Sequence, residues 1–186
     1  MLTQERMLQI FKDSHALLHG HFKLTSGLHS DTYFEKFKVL QYPRYVEGLC
    51  TELARRFKDD KIELVLGPTT GGVLLAYEIG KQLVTRGIFA EKGDGGRTLK
   101  RGFKIKPGTR VLVVDDILTT GGSVWDTIAI VTQNNAVLAG VGLLVDRTGS
   151  TIDFGVKTES LLSLAVEKFE PEVCPLCKAG VPLTET

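Results

Sequence analysis

The chain of 186 residues sets 23 Lys and Arg against 22 Asp and Glu, a net charge of +1, with 42% hydrophobic and 24% charged residues. That balance is ordinary for a soluble globular protein of one domain and removes any electrostatic case for nucleic acid or an anionic membrane as partner. No apolar run approaches membrane-span length and the start MLTQERMLQ lacks a signal-peptide layout, so a cytoplasmic protein is expected.

Residues 3–18 read as an opening helix with Met7, Ile10, Phe11, Leu17 and Leu18 on one side, ended by Gly20. Turn signals follow over residues 23–37, which contain Ser26-Gly27 and the aromatic pair Tyr33-Phe34. Pro43 suits the first turn of a helix that keeps Val46, Leu49, Cys50, Leu53 and Phe57 in period. Beyond Asp60 the pattern changes to strands alternating with helices. Strands are predicted over residues 62–66, from residue 88, and over 110–114, 137–145 and 161–166, with helices over 73–83 and 123–133. Such alternation predicts an α/β fold, a mainly parallel twisted sheet flanked by helices. Residues 91–102, EKGDGGRTLKRG, are polar and glycine-rich and read as a mobile loop.

The three cysteines, Cys50, Cys174 and Cys177, argue by their odd number against a disulfide framework. Cys174-Pro-Leu-Cys177 has the spacing of half a zinc site, but no second pair follows. It reads as two reduced thiols in a docked tail, with a metal site, completed within the chain or across a dimer, as the alternative. His15, His19 and His21 have no cysteine or acid beside them and read as surface histidines.

Chemistry concentrates in VLVVDDILTTGGS, residues 111–123. A buried strand supplies residues 111–114, and packing gives no reason for Asp115 and Asp116 to follow. The loop Thr119-Thr120-Gly121-Gly122-Ser123 enters a helix, where unpaired backbone N–H groups, hydroxyls and glycines suit a phosphate. It has neither the Walker A spacing nor that of a dinucleotide fingerprint. Carboxylates repel phosphate but accept hydrogen bonds from vicinal ribose hydroxyls, so the segment suits a ribose 5-phosphate. In open parallel sheets ligands bind beyond the carboxyl ends of the strands, where Gly67-Pro68-Thr69-Thr70-Gly71-Gly72 also falls.

Residues 111–123 resemble the phosphoribosyl-diphosphate motif of type I phosphoribosyltransferases: a hydrophobic strand, two acids, two variable residues (Ile117, Leu118) and a Thr- and Gly-rich loop. Leu24-Thr25-Ser26-Gly27, Asp31-Thr32-Tyr33-Phe34, the 67–72 loop and Asp146-Arg147 further resemble the orotate phosphoribosyltransferases in order and spacing, over residues 5–166. The resemblance implies a type I phosphoribosyltransferase fold with a small N-terminal hood (residues 1–40) that bears on the base, and a tail from 170 to 186. It implies that Asp115 and Asp116 hold the ribose hydroxyls and Thr119 to Ser123 the 5-phosphate. Gly67, Thr69, Thr70, Gly71 and Gly72 would contact pyrophosphate, Tyr33 and Phe34 would flank the base, and Thr119 and Arg147 would contact orotate. A guanidinium suits orotate, which carries a carboxylate.

The family also uses Mg²⁺ carried by the diphosphate substrate, and a homodimer with shared active sites. A loop over residues 91–102 would bring cations to the neighbouring subunit's pyrophosphate, with Lys92 matching the family's catalytic lysine best and Lys100 and Arg101 as substitutes. The chain departs from the common bacterial pattern at Glu91, where arginine is usual, at Thr25, where lysine is usual, and in the loop centre. Two alternatives stand beside this reading: a purine or uracil phosphoribosyltransferase, and a non-catalytic nucleotide-sensing regulator of the same fold. The regulator would need a DNA-binding segment, and the N-terminal helix carries no basic cluster.

Overall fold

The computed structural model describes residues 2–24, 26–164 and 166–185. Its central sheet has six strands in the order β5-β4-β3-β6-β7-β8: β3 (Leu64–Pro68), β4 (Arg86–Gly93), β5 (Gly96–Thr98), β6 (Arg110–Leu118), β7 (Val137–Asp146) and β8 (Thr158–Ser163). All neighbours pair in parallel except β5, which pairs antiparallel with β4 at the edge. The run Val111 to Val114 is buried on both faces, as strand alternation requires. Val111 and Val113 join Val124, Ile128 and Val131 of α5 (Gly122–Gln133) in one cluster. Leu112 and Val114 join Leu49, Leu53 and Phe57, from and just after α3 (Pro43–Arg56), and Leu75 and Ile79 of α4 (Gly71–Gln82) in the other. Each such side chain contributes about 1.5–3 kcal/mol by leaving water.

Strand order reverses between β3 and β6: β3 leads through α4 to β4 on one side, and β6 through α5 to β7 on the other. The carboxyl ends of these two adjacent strands therefore open a crevice at the switch point.

A second sheet has three strands, in the order β2-β1-β9: β1 (Leu17–Lys23), β2 (His29–Phe34) and β9 (Thr184–Glu185). The first two pair antiparallel, and the two-residue β9 runs parallel to β1. Two short helices, α2 (Phe37–Leu40) and α6 (Pro175–Lys178), respectively follow β2 and precede β9. Among the described residues no helix is long and apolar enough to cross a membrane.

Several expected boundaries shift. The opening helix α1 spans only Gln4–Asp13, capped by the Thr3 hydroxyl accepting from the Arg6 N–H at 3.2 Å. Leu17, Leu18 and Gly20 belong to β1 instead, because pairing with β2 outweighs a local apolar repeat. Strand β6 does not stop at Val114: its ladder with β7 runs on to Leu118 opposite Asp146, so both aspartates are strand residues. The last long strand comes three residues earlier than expected, at Thr158–Ser163. Residues 91–98 are not irregular loop but an antiparallel ribbon, with Glu91 opposite Thr98 and Gly93 opposite Gly96. Gly95 and Gly96 take the positive φ values that close its turn. Thr25 lies outside the described residues.

Candidate active site at the carboxyl ends of β3 and β6

The crevice holds a cavity of about 420 Å³, walled by Asp115, Asp116, Ile117, Thr119 and Ser123 from one side and Thr69, Thr70 and Arg97 from the other. Tyr33, Phe34, Lys36 and Arg147 close it. A second cavity of about 460 Å³ shares Tyr33, Thr119 and Arg147 with the first and adds Leu24, Ser26, Thr120 and Lys168. The shared residues form the boundary between the two cavities.

Asp115 is buried, and its carboxylate accepts from the Asp116 N–H at 2.8 Å and from the Ser123 hydroxyl at 2.5 Å. Burial, and next the charge of Asp116, raises its pKa from 3.8 to about 6, although the two hydrogen bonds and Lys36 oppose the rise. Asp116 is buried as well, with Lys36 Nζ 3.0 Å from Oδ1 and 2.9 Å from Oδ2. Only the first contact has hydrogen-bond geometry, so Oδ2 is close to a cation yet accepts no hydrogen bond among the described residues. Gly71 explains how the two loops meet: a Cβ there would stand 1.7 Å from Asp116 Oδ2.

Helix α5 starts without a side-chain cap, after Gly121 at φ 84°, a conformation that suits glycine. Its first internal bond runs from the Trp125 N–H to the Gly121 carbonyl, which leaves the amides of Gly122, Ser123 and Val124 without helical acceptors. Helix α4 also starts without a side-chain cap, at Thr70, beyond the cis Thr69–Thr70 peptide. Two bare helix starts thus flank the aspartates, each suited to an anion.

Arg147 is 7% exposed, and its backbone N–H is fixed to the Leu118 carbonyl at 2.9 Å. Its Nε is buried with no hydrogen-bond acceptor, and no carboxylate among the described residues pairs with it. Burial holds the guanidinium below its usual pKa, against the opposing influence of Tyr33, but a guanidinium stays charged. A desolvated, unpaired cation is costly, and an anion entering the cavity relieves that cost.

The sequence-predicted residues divide as their backbone positions dictate. Tyr33 faces both cavities and stacks on Phe22, with centroids 5.6 Å apart. Phe34 touches the wall, but its ring packs edge-on against Phe11 at 5.1 Å, so it belongs mainly to the core. Leu118 is a core side chain, and Ile117 is the one of that pair that reaches the cavity. Gly67 near the end of β3, Gly71 and Gly72 at the start of α4, and Gly121 before α5 are buried, whereas Thr119, Thr120 and Gly122 are exposed. Lys92 on β4 and Lys100 and Arg101 just past β5 are exposed and line neither cavity. Lys100 reaches the Lys92 carbonyl at 3.2 Å, and Arg101 pairs with Glu91 at 2.9 Å.

Two cations at the site escape the sequence reading. Arg97 donates to the Thr69 carbonyl at 3.3 Å, and Lys36 holds Asp116. The position of Lys36 just after Tyr33-Phe34 is a signal that could have found it, whereas Arg97 sits in a polar ribbon that carries none.

The family model described as phosphoribosyl transferase domain matches residues 41–154. A curated orotate phosphoribosyltransferase of Pelotomaculum thermopropionicum is 49% identical over 181 residues, covering 97% of this chain and 95% of that protein. One of Caldicellulosiruptor bescii is 48% identical, covering 99% and 97%. The crystal structure of the orotate phosphoribosyltransferase from Aeropyrum pernix superposes with a TM-score of 0.67 at 25% identity, over 84% of this chain and 93% of that one. With its type I phosphoribosyltransferase fold and near full-length relatives, the chain belongs to the orotate phosphoribosyltransferase family.

Proposed function

We propose that the protein is an enzyme that transfers the 5-phosphoribosyl group from 5-phosphoribosyl 1-diphosphate to orotate, giving orotidine 5'-monophosphate and pyrophosphate, a step of de novo pyrimidine synthesis. One observation carries the choice of base: the buried, unpaired Arg147 shares a boundary with the paired aspartates, so a carboxylate-bearing acceptor would meet a guanidinium beside the ribose. Uracil and purines offer that guanidinium no negative partner. In this reading the amides of Gly122 to Val124 and the Thr119, Thr120 and Ser123 hydroxyls take the 5-phosphate, and Asp115 and Asp116 accept from the ribose hydroxyls.

As the bond from the anomeric carbon to the diphosphate breaks, N1 of orotate forms the new bond, and its proton passes to the departing pyrophosphate or to water. The chain's part is to align the two reactants and offset charge, and no side-chain nucleophile is needed. The aspartates hold a ribose that gains positive character. The bare start of α4, with Arg97 beside Thr69, faces the departing anion. The hard carboxylate oxygens of Asp115 and Asp116, one of them without a hydrogen-bond donor, fit Mg²⁺ brought in by the diphosphate. Bound there, the ion would supply charge neutralisation for the leaving group.

In this proposal Lys92 acts only across a homodimer, where an outward-facing ribbon reaches the partner's cavity. A steady-state assay with orotate, uracil, hypoxanthine, guanine and adenine, with and without Mg²⁺, tests the reading. Turnover confined to orotate supports it, and preference for any other base overturns it.

A further inference from the structure

The three-stranded sheet carries a second cluster of chemistry-bearing side chains, which the transfer reaction does not use. His21 lies on β1, His29 opens β2, and Cys174 and Cys177 bracket the first turn of α6. His21 Nε2 stands 2.9 Å from His29 Nδ1, 3.5 Å from Cys174 Sγ and 3.7 Å from Cys177 Sγ, while His29 Nδ1 stands 3.3 Å from Cys177 Sγ. All four atoms lie within 4.8 Å of one another, and His21, His29 and Cys174 are buried. His21 is therefore not a surface histidine, in contrast to the exposed His15 and His19. The cysteine pair also finds its complement within its own chain, not across a dimer.

Hydrogen bonding alone does not account for this convergence. His21 Nδ1 lies 2.8 Å from the Val181 carbonyl, which can only accept, so Nδ1 carries a hydrogen and in the neutral ring Nε2 presents a single lone pair. Three groups crowd that one lone pair. A tetrahedron built on ordinary zinc–nitrogen and zinc–sulfur bonds has edges of about 3.3 Å between nitrogens and about 3.6 Å between nitrogen and sulfur. Three of the four nitrogen–sulfur separations, 3.3 to 3.7 Å, match that edge, the fourth lies within 4.8 Å, and the two nitrogens need only move slightly apart. The Val181 carbonyl supplies the outer contact that orients a metal-bound imidazole.

The tail supplies a second, independent reason. Of residues 171–185, only Cys174 is buried, and the segment is otherwise tied down by the two-residue β9, the His21–Val181 hydrogen bond and an exposed Lys23–Glu185 ion pair. Apolar burial on that scale does not offset the ordering of fifteen residues, whose backbone alone costs on the order of 1 kcal/mol each.

We propose that His21, His29, Cys174 and Cys177 bind one zinc ion in a closed structural site that fastens the tail to the β1–β2 sheet. Two thiols lose their protons on binding, so two thiolates balance the dication and the histidines bind neutral. The site braces the outer cavity: β1 and β2 bracket the turn bearing Leu24 and Ser26, and Phe169, bridged to His29, follows Lys168.

The test uses the full chain, purified under reducing conditions. Elemental analysis should find one zinc per chain. After stripping with a chelator, Co²⁺ should bind at one equivalent with the intense visible bands of a tetrahedral ion and thiolate charge transfer. Cys177→Ser should lower Co²⁺ affinity by more than tenfold, and His15→Ala with His19→Ala should leave it unchanged. The wild-type Co²⁺ titration stands alone if a cysteine variant fails to fold. Substoichiometric zinc together with a weak six-coordinate Co²⁺ spectrum would overturn the proposal. So would a Cys174–Cys177 disulfide in the protein as isolated.

Discussion

Asp115→Asn should abolish most activity and yet make the substrate-free protein more stable at neutral pH. The folded protein raises the Asp115 pKa from 3.8 to about 6, chiefly by burial and next by Asp116. A carboxyl raised in this way adds stability that is complete below 3.8 and is lost as pH rises through about 6. At pH 7.5 the loss approaches about 3 kcal/mol, from 1.36 kcal/mol for each of roughly two pH units. Asparagine removes the charge but weakens the bonds from Ser123 and the Asp116 N–H, which returns about 1–1.5 kcal/mol. The net gain of about 1.5–2 kcal/mol corresponds to a Tm higher by about 3–8 °C for a chain of this size. Thermal unfolding at pH 7.5 and pH 4 measures it, and the advantage should vanish at the lower pH, where wild type is also protonated. In the same variant kcat/KM for the phosphoribosyl donor should fall roughly ten- to a hundredfold, as expected for a lost charged hydrogen bond. An unchanged or lower Tm at pH 7.5, or a gain equal at both pH values, would refute the reasoning.

Gly71→Ala places a methyl 1.7 Å from Asp116 Oδ2, so it should displace the carboxylate and raise the donor KM, with orotate binding measured by calorimetry little changed. Arg97→Ala frees the Thr69 carbonyl from the ribbon and should raise the KM for pyrophosphate in the reverse reaction several-fold, leaving Tm within about 2 °C. Mixing Lys92→Ala chains with an inactive Asp115/Asp116 double variant should restore part of the activity, since one mixed site would combine intact aspartates with a neighbour's lysine. No recovery in a dimer proven to exchange subunits would leave Lys92 a bystander.

The strand–acid–glycine segment was legible because each feature is local: a doubly buried strand, two acids without a packing role and a helix start carry their signal within residues 111–123. Arg147 stands out in the sequence only through the family resemblance, and the structure brings it to the cavity because the next parallel strand ends level with β6, with Asp146 opposite Leu118. What stayed hidden depends on distant pairing. The first helix was overextended because Leu17 and Leu18 continue its apolar repeat, and only the partner strand β2 claims them. The Glu91–Gly102 stretch looked irregular since a short polar ribbon at a sheet edge has no apolar alternation to display. Lys36 and Arg97 carry no motif, and their roles come from meeting Asp116 and Thr69 eighty and twenty-eight residues away. His21 reads as a surface residue because its cysteine partners lie some 150 residues further on.

The most direct test of the central claim is the ratio of kcat/KM for orotate over uracil, measured in wild type and in Arg147→Ala with the donor saturating. If the buried guanidinium selects the base through its carboxylate, wild type should favour orotate by a factor of at least roughly a hundred, on the scale of a charged hydrogen bond left unmade. In Arg147→Ala that ratio should collapse toward unity through loss of orotate turnover, while the donor KM changes much less. A selectivity that survives the substitution, or an equal loss for both bases, would contradict the account.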